Sequence, residues 1–481
     1  MNLEQLPDSY NGVLIYLPAY SRFDKANGQL FVGRARTFCG EVLARYGYSI
    51  DDCCIRHVDD LAKGFPGGTQ FVICQGEECL NRISGEKGLD AHAGFVRELN
   101  GIPYVFTYWA QDCVDVKDEE TSEEDEAEDA SSSGKDSAPT ARANYRFWFA
   151  QDIDKMLSGR YKSVTVPHLG LVQLNTQDAV DYLNSITNDY LYLDIETHPP
   201  TNTIQCFSFC DSTRGVATVL NYDYRGNAGC DNPIVMAALA KAIARNIVVI
   251  HNSMFDLLFL AAYHGMPFGR RNWDTMLVQH RLHLEIEKSL AHAIRLFVNA
   301  PYHKGDYSSY TPYNYRQQME LLLYNAKDVQ TLRAVHKVQL GIYETDVRTR
   351  VTIQQADDLV YLYSLMSLQG IGVDMVRVKA IRDHNDEVLV QLRRILRLLV
   401  GNEINPSSPQ QLVEYFHKRL GYTPVEKTAQ GEPSLEADCL YKLLIETGNP
   451  VIKVVLLARK IAKQNGMLKF KWMALKRKRV A

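Results

Sequence analysis

The heptapeptide Leu191-Tyr192-Leu193-Asp194-Ile195-Glu196-Thr197 combines an apolar run with two carboxylates that lie one residue apart. Such a run is typical of a β-strand, in which successive side chains point to opposite faces. Asp194 and Glu196 therefore share one face, while the leucines and the isoleucine face a core. Paired acids on a strand belong either to a solvated edge or to a metal site, and two further segments decide between these interpretations.

A second apolar run, Ile247-Val248-Val249-Ile250, has the length of a buried strand. Helical periodicity follows it and places Asp256 in the first turn of a helix. The helix dipole stabilises a carboxylate there, and sheets with parallel strands open their clefts at this end. Asp256 is therefore either an ordinary acid at a helix N-terminus or a residue of a site at this edge of the sheet.

A third segment, Tyr324-Asn325-Ala326-Lys327-Asp328, lies inside a helical pattern over residues 315–340. The i, i+4 spacing places Tyr324 and Asp328 on one helix face, an arrangement that is also ordinary on a surface helix. Together the three segments supply four carboxylates and a tyrosine. Four converging acids would repel one another unless divalent cations neutralised them, so we expect two Mg²⁺ or Mn²⁺ ions.

The order of these segments resembles the tyrosine-containing branch of the DEDD exonuclease superfamily. The resemblance implies two-metal hydrolysis of the 3′-terminal phosphodiester of DNA. Asp194 is expected to bridge both ions. Glu196 and Asp328 are expected to complete one ion site and Asp256 the other. Tyr324 is expected to orient the attacking water.

The same resemblance implies further site residues. Asn252, which stands four residues ahead of the helix-start acid, is expected to contact substrate together with Phe255 and Lys304. Tyrosines near Lys304 can stack on bases, and the lysine can meet a phosphate of single-stranded DNA. Asp274, in Trp273-Asp274-Thr275, resembles an additional acid of these exonucleases and is expected to support the site without binding metal.

Composition sets limits on the location and the partners of the protein. The chain has 481 residues and a formal net charge of −4, so any surface for nucleic acid is a local patch. Neither a secretory signal nor an apolar run of membrane-spanning length is evident, so no membrane partner is expected. The ten cysteines lack the spacing of a metal site or a disulfide framework, which favours reduced thiols in the cytoplasm.

Residues 11–113 have the pattern of a small α/β domain that resembles the uracil-DNA glycosylase superfamily. The residues that carry the resemblance are Tyr16, Pro18-Ala19, Asp24, Gly28, Phe31-Val32-Gly33-Arg34, Leu43 and Gly47, then Ile73 to Leu80, then Ile102 to Tyr108. After the last string that family has a His-Pro pair, whereas this chain has Trp109-Ala110-Gln111. We interpret the domain as a non-catalytic binding or docking module; an active glycosylase and an unrelated α/β domain are the alternatives.

An acidic segment follows the first domain. Between residues 115 and 129 ten acids accumulate against one lysine, with a serine-rich run behind them. Such a composition cannot support a core and predicts a disordered linker. An alternative is that the segment imitates DNA and covers a basic groove.

Beyond residue 340 the pattern changes to long amphipathic helices. The strings Leu365 to Asp374, Asn405 to Leu412, Leu420-Gly421-Tyr422 and Val454 to Lys460 resemble the part of family A DNA polymerases that follows the exonuclease and forms the thumb. No palm or fingers pattern follows Lys460, so we expect these elements on a separate polymerase subunit, with a processivity factor as a further partner and a viral source. A stand-alone DNA or RNA exonuclease and a non-catalytic DNA-binding scaffold are the alternatives.

The predicted fold class is α/β multidomain, with a glycosylase-like N-terminal domain, a ribonuclease-H-like exonuclease domain and a helical thumb-like region. The predicted divisions are a first domain over 1–113, an acidic linker over 114–142, a connecting segment over 143–185, an exonuclease domain over 186–344, and a thumb-like region with a basic tail over 345–481.

Overall fold

The structure is a computed structural model of a mixed α/β protein with two mixed sheets. It describes residues 6–21, 24–25, 30–114, 139–163, 166, 172–173, 176–187, 189–198, 203–220, 233–268, 271–301, 303, 314–370, 372–428 and 431–468. The described residues up to Gln369 form one compact unit, and those from Gly370 onward form a second. Most of the predicted acidic linker, the basic tail and Lys304 lie outside the described residues.

The first sheet is built from the N-terminal part of the chain. Its strands are β1 Val13–Leu17, β2 Cys54–His57, β3 Phe71–Gln75, β4 Arg97–Leu99 and β5 Ile102–Thr107. The order is β2-β1-β3-β5-β4, and all neighbours are parallel except the antiparallel pair β4–β5. Its helices are α1 Gly33–Ala44, α2 Gly76–Ser84, α3 Leu89–His92 and α4 Pro139–Leu157.

Helix α4 differs from the expectation of a linker and a connecting segment over residues 114–185. It begins at Pro139, and it packs Phe149, Ile153 and Met156 into the core of the first sheet. Its apolar pattern is interrupted by Asp152 and Lys155, which are buried instead of exposed. Charged side chains usually indicate a solvated face, which explains why the sequence pattern did not indicate a core helix.

The second sheet carries the strands expected for the exonuclease domain. They are β6 Val172–Gln173, β7 Tyr190–His198, β8 Thr203–Cys210, β9 Ala217–Leu220, β10 Ile247–Ile250 and β11 Arg271–Asp274. The order is β11-β10-β7-β8-β9-β6; β7 is central, parallel to β10 and antiparallel to β8. The strands predicted at residues 191–197 and 247–250 are confirmed within one residue at their ends.

Seven helices of the described chain accompany this sheet: α5 Thr176–Ser185, α6 Pro233–Arg245, α7 Ser253–His264, α8 Thr275–Leu282, α9 Leu290–Phe297, α10 Tyr315–Thr345 and α11 Val347–Gln369. The predicted helix over residues 315–340 is confirmed as α10. The apolar side chains of α9 pack against α10.

The two faces of β7 follow the alternation predicted from its sequence. Leu191, Leu193 and Ile195 are buried in a core formed with α5, α6 and α7. Tyr192 points to the other face, where α10 packs, and its hydroxyl lies 2.9 Å from His336 Nδ1 on that helix. Since the side chains alternate, the two acids of β7 also face α10.

Buried polar groups connect the first sheet to the second within this unit. Arg295 of α9 makes a two-pronged ion pair with Asp152 of α4, at 2.7 Å for Nη2–Oδ2 and 3.1 Å for Nε–Oδ1. Lys155 Nζ donates to the carbonyl oxygens of Gly94 at 2.9 Å and Val298 at 3.0 Å. Because these bonds join segments far apart in the chain, the two sheet regions are parts of one packed body.

The second unit is helical. Its helices are α12 Met375–Val400, α13 Pro409–Val413, a π-helical turn Glu414–Arg419, α14 Ala437–Thr447 and α15 Pro450–Met467. Leu396, Phe416 and Ile452 lie at the centre of its core. Ser408 caps the start of α13, because its side chain accepts a hydrogen bond from Gln411 N. Among the described residues no helix combines the length and apolar character needed to cross a bilayer.

Candidate metal centre

Strand β7 contributes two acids to one face. Asp194 and Glu196 are partly buried near the carboxyl end of the strand. A β-bulge follows, because Glu196 pairs with Cys206 and Thr197 pairs with Ile204, which leaves Gln205 as an extra residue on β8. Bulges of this kind bend a strand and are frequent beside active sites.

Helix α10 brings a third carboxylate to the same place. Asp328 is 2% exposed and lies on the side of the helix that faces β7. Oxygen atoms of Asp194, Glu196 and Asp328 all lie within 4.8 Å of one another. The structure therefore brings together three of the four predicted metal-binding acids.

Asp256 lies beside this trio in the first turn of α7, as the sequence predicted. It is 3% exposed, and its Oδ1 accepts a hydrogen bond from the backbone N–H of Ile195 at 3.1 Å. Ile195 stands between the two acids of β7, so this bond fixes Asp256 at their edge of the sheet. Burial and the negative charge of Glu196 raise the pKa of Asp256 well above its usual range. Burial thus disfavours the charged form of the Asp256 carboxyl group.

The turn between β10 and α7 is held by Asp274. Asn252 adopts a left-handed conformation with φ of 72°, which asparagine enters more readily than most residues other than glycine. The Asn252 N–H donates to Asp274 Oδ1 at 3.1 Å, and the N–H and hydroxyl of Ser253 both donate to Oδ2 at 2.7 Å. Asp274 is buried by these bonds and is not one of the three converging carboxylates. Its position suits the expected supporting role, in that it fixes the start of the helix that carries Asp256.

Tyr324 and His303 lie beside Asp328. His303 is 5% exposed, and its Nε2 is 2.7 Å from Asp328 Oδ1. The rings of His303 and Tyr324 meet edge to face with centroids 6.0 Å apart. Tyr324 is one helical turn from Asp328, as predicted, and is partly exposed. The Tyr324 side chain thus lies at the side of the carboxylate cluster.

The residues expected to contact substrate are only partly described. Phe255 is 49% exposed on the first turn of α7, where an aromatic ring can stack on a base. Asn252 serves as the N-cap residue of α7, although its side chain makes no capping hydrogen bond. Lys304 lies outside the described residues, so its role stays a prediction.

Two residues that contact the acids were not identified from the sequence. Asn325 donates from Nδ2 to Asp194 Oδ2 at 2.6 Å, and His303 pairs with Asp328. The i, i+3 spacing of Asn325 and Asp328 on a helix was a usable signal, because it places both on one face. His303 lies outside the described helices and strands, and no spacing rule indicates what it contacts.

The donor set of this centre fits a hard divalent cation. Carboxylate oxygens are the ligands that Mg²⁺ and Mn²⁺ prefer, and the trio supplies them from two rigid elements, a central strand and a long helix. Asp194, Glu196 and Asp328 could hold one cation directly, with Asp256 available to a second.

Comparison with known proteins gives little beyond this geometry. No protein-family model matches the chain. A solved structure of the POL domain of Pol1 from M. smegmatis, in complex with DNA primer-template and dNTP, is similar at a TM-score of 0.44 and 15% sequence identity. The similarity covers 62% of this chain and 49% of the solved one, so the chain spans about half the length of the structure it matches.

Proposed function

We propose that the chain is a 3′–5′ DNA exonuclease that hydrolyses the terminal phosphodiester bond with two Mg²⁺ or Mn²⁺ ions. The observation that carries this proposal is the convergence of Asp194, Glu196 and Asp328, whose oxygens lie within 4.8 Å of one another. Asp256, whose pKa is raised by burial and by Glu196, supports the same proposal.

Each residue of the centre has a role in this scheme. Asp194 is central and would be shared by both cations, with Glu196 and Asp328 completing one set of ligands and Asp256 the other. Bound divalent cations supply water activation and charge stabilisation at the leaving oxygen. The hydroxyl of Tyr324 orients the water for attack on the phosphorus, and Phe255 stacks on the terminal base.

The proposed setting is DNA proofreading. The sequence resemblance of residues 345–465 to the thumb of family A DNA polymerases supports a primer–template partner, with palm and fingers supplied by another chain. A thumb holds duplex DNA through its backbone and does not read its sequence. The exonuclease would then remove a mismatched 3′ end that frays into the centre.

The first sheet is proposed to be a structural or docking module without glycosylase activity. Ala110 stands where the resembled family has catalytic residues, and its N–H donates to Gln75 Oε1 at 3.0 Å. Pro18 lies against Gly76, where an added Cβ would fall 2.9 Å from the proline Cγ. These contacts fill the carboxyl ends of β1 and β3 with the chain's own atoms, which supports a non-catalytic role.

A gel assay with 5′-labelled DNA tests the proposed activity. Wild-type protein with Mg²⁺ or Mn²⁺ is expected to shorten single strands and primer–templates from the 3′ end, and chelation with EDTA should stop it. The variant Asp194→Asn should lose several powers of ten in rate, because a shared ligand of both cations loses its charge. Addition of dNTPs should produce no extension.

Glu344→Gln provides a matched control on the same helix as Asp328. Glu344 is exposed and lies sixteen residues further along, about 24 Å at 1.5 Å per residue. Its loss should leave the rate unchanged. If Asp194→Asn degrades DNA as fast as the wild type, the carboxylates do not form the active centre. If wild type and variant both bind DNA but neither cleaves it, a DNA-binding scaffold is the better description.

A further inference from the structure

Asn325 lies next to Tyr324 in the helix, and its side chain faces the acids of β7. It is fully buried, and its Nδ2 donates to Asp194 Oδ2 at 2.6 Å. The i, i+3 spacing places Asn325 and Asp328 on the same face of α10. The helix therefore brings an amide to the centre as well as a carboxylate.

The environment of the carbonyl oxygen of the same amide opposes folding. Among the described residues, Asn325 Oδ1 has no hydrogen-bond partner, although it is shielded from solvent. Leaving a buried polar atom unsatisfied costs about 1–3 kcal/mol. A leucine, which has the same branching but no polar atoms, would avoid this penalty. Folding alone thus does not account for an asparagine here, whereas the bond to Asp194 does.

The amide differs from the cationic side chains that usually accompany buried acids. A lysine or arginine beside Asp194 would neutralise the carboxylate and compete with a metal ion for it. A neutral N–H donor stabilises the ionised form and fixes its orientation, but it leaves the negative charge in place. Hydrogen bonds of this kind to metal ligands change metal affinity or activity about 10–100-fold when they are removed.

We infer that Asn325 is a positioning residue, which fixes the orientation of the Asp194 carboxylate for divalent cations. The inference rests on the proposed function, because it assigns Asp194 to a metal site. It adds a residue that the resemblance to known exonucleases did not indicate. The lack of a partner for Asn325 Oδ1 among the described residues is then explained, because an amide that supplies the N–H donor also carries a carbonyl oxygen.

Mn²⁺ binding to the full chain without DNA tests this inference independently of cleavage. Electron paramagnetic resonance of free Mn²⁺ gives the dissociation constant for the wild type, Asn325→Leu and Asn325→Ala. Both variants remove the donor. Leucine fills the space and alanine leaves a cavity, so if one variant fails to fold, the other still tests the role of the donor. We expect Mn²⁺ affinity to fall about 10–100-fold in each.

Gln339→Leu is the matched control for the loss of a buried amide. Gln339 is also fully buried on α10, but its amide bonds the Trp273 indole and the Thr275 carbonyl, on either side of the supporting Asp274, and not the Asp194 carboxylate. This variant should lose stability and keep wild-type Mn²⁺ affinity. In a cleavage assay the variants at Asn325 should require more Mn²⁺ for half-maximal rate, whereas Gln339→Leu should not.

The outcomes separate this inference from the proposed function. Wild-type affinity for Mn²⁺ in folded Asn325→Leu and Asn325→Ala would overturn the role of Asn325 while leaving the metal centre intact. A wild-type protein that binds no Mn²⁺ would overturn the metal centre and the role of Asn325 together. Weaker binding in the Asn325 variants, with normal binding in the control, supports the inference.

Discussion

Replacing Arg295 with methionine is expected to lower the free energy of unfolding by about 3–5 kcal/mol, the usual cost of leaving one partner of a buried ion pair uncompensated. Arg295 is 8% exposed and Asp152 is fully buried. Once the guanidinium is gone, the Asp152 carboxylate keeps a hydroxyl bond from Thr107 at 2.8 Å, but it loses both bonds from Arg295.

Aromatic contacts add to this cost. The guanidinium carbon of Arg295 lies 4.6 Å from the ring centre of Trp148 and 4.8 Å from that of Tyr108. Each such contact is worth about 0.5–2 kcal/mol, depending on burial. Methionine keeps much of the apolar stem packing but not the charge, so the expected loss is mainly electrostatic.

Urea unfolding followed by tryptophan fluorescence and circular dichroism measures the effect. Trp148 lies in the affected contact, so its emission should report on the same transition. The double variant Arg295→Met, Asp152→Asn should be less destabilised than the sum of the single variants, because it removes the carboxylate that Arg295→Met alone leaves without its guanidinium.

An exposed pair on α10 supplies the control. Arg316 and Glu320 are 2.8 Å apart but largely solvated, so Arg316→Met should cost less than about 1 kcal/mol. If Arg295→Met is no more destabilising than Arg316→Met, the ion pair does not join the two sheet regions as described. An additive double variant would contradict the electrostatic explanation.

Three further variants test other parts of the structure. A Cβ at Gly94, which has φ of 76°, would lie 2.8 Å from Arg295 Cγ, so Gly94→Ala should lower the melting temperature more than Gly101→Ala, where φ is 79° but the space is open. Burial lowers the pKa of His336 from its ordinary 6.5 to about 3, so the unfolded chain binds the extra proton between these values. Stability should therefore fall as the pH falls through that window, by up to about 1.4 kcal/mol per pH unit, and less steeply in a His336→Phe variant followed by urea unfolding. His303→Leu should lower the cleavage rate at saturating Mn²⁺ more than His303→Gln, which keeps a donor; equal rates would contradict a positioning role.

The main features of the candidate site followed from local sequence rules. Alternation in β7 placed Asp194 and Glu196 on one face, and helical spacing placed Tyr324 beside Asp328. These rules succeed because each concerns neighbours in a single strand or helix, where geometry is fixed by the backbone. The position of Asp256 at a helix start is also local.

Contacts between segments that are far apart in the sequence could not be predicted from such rules. His303 contacts Asp328 from outside the described helices and strands, and this contact depends on how distant parts of the chain pack. Helix α4 was hidden because Asp152 and Lys155 interrupt its apolar pattern, although both are buried and bonded. The charged side chains that join the two sheet regions are therefore ones that hydrophobic periodicity predicts to be exposed.

The most direct test of the central claim uses a duplex with a radioactive phosphate between its last two 3′ nucleotides, mixed with wild-type protein and Mn²⁺. A metal-dependent 3′–5′ exonuclease should release labelled nucleoside 5′-monophosphate first, in single-nucleotide steps, and Asp194→Asn should release none on the same timescale. Release of labelled oligonucleotides, or an equal rate in Asp194→Asn, would contradict the assignment of these carboxylates to 3′-end hydrolysis.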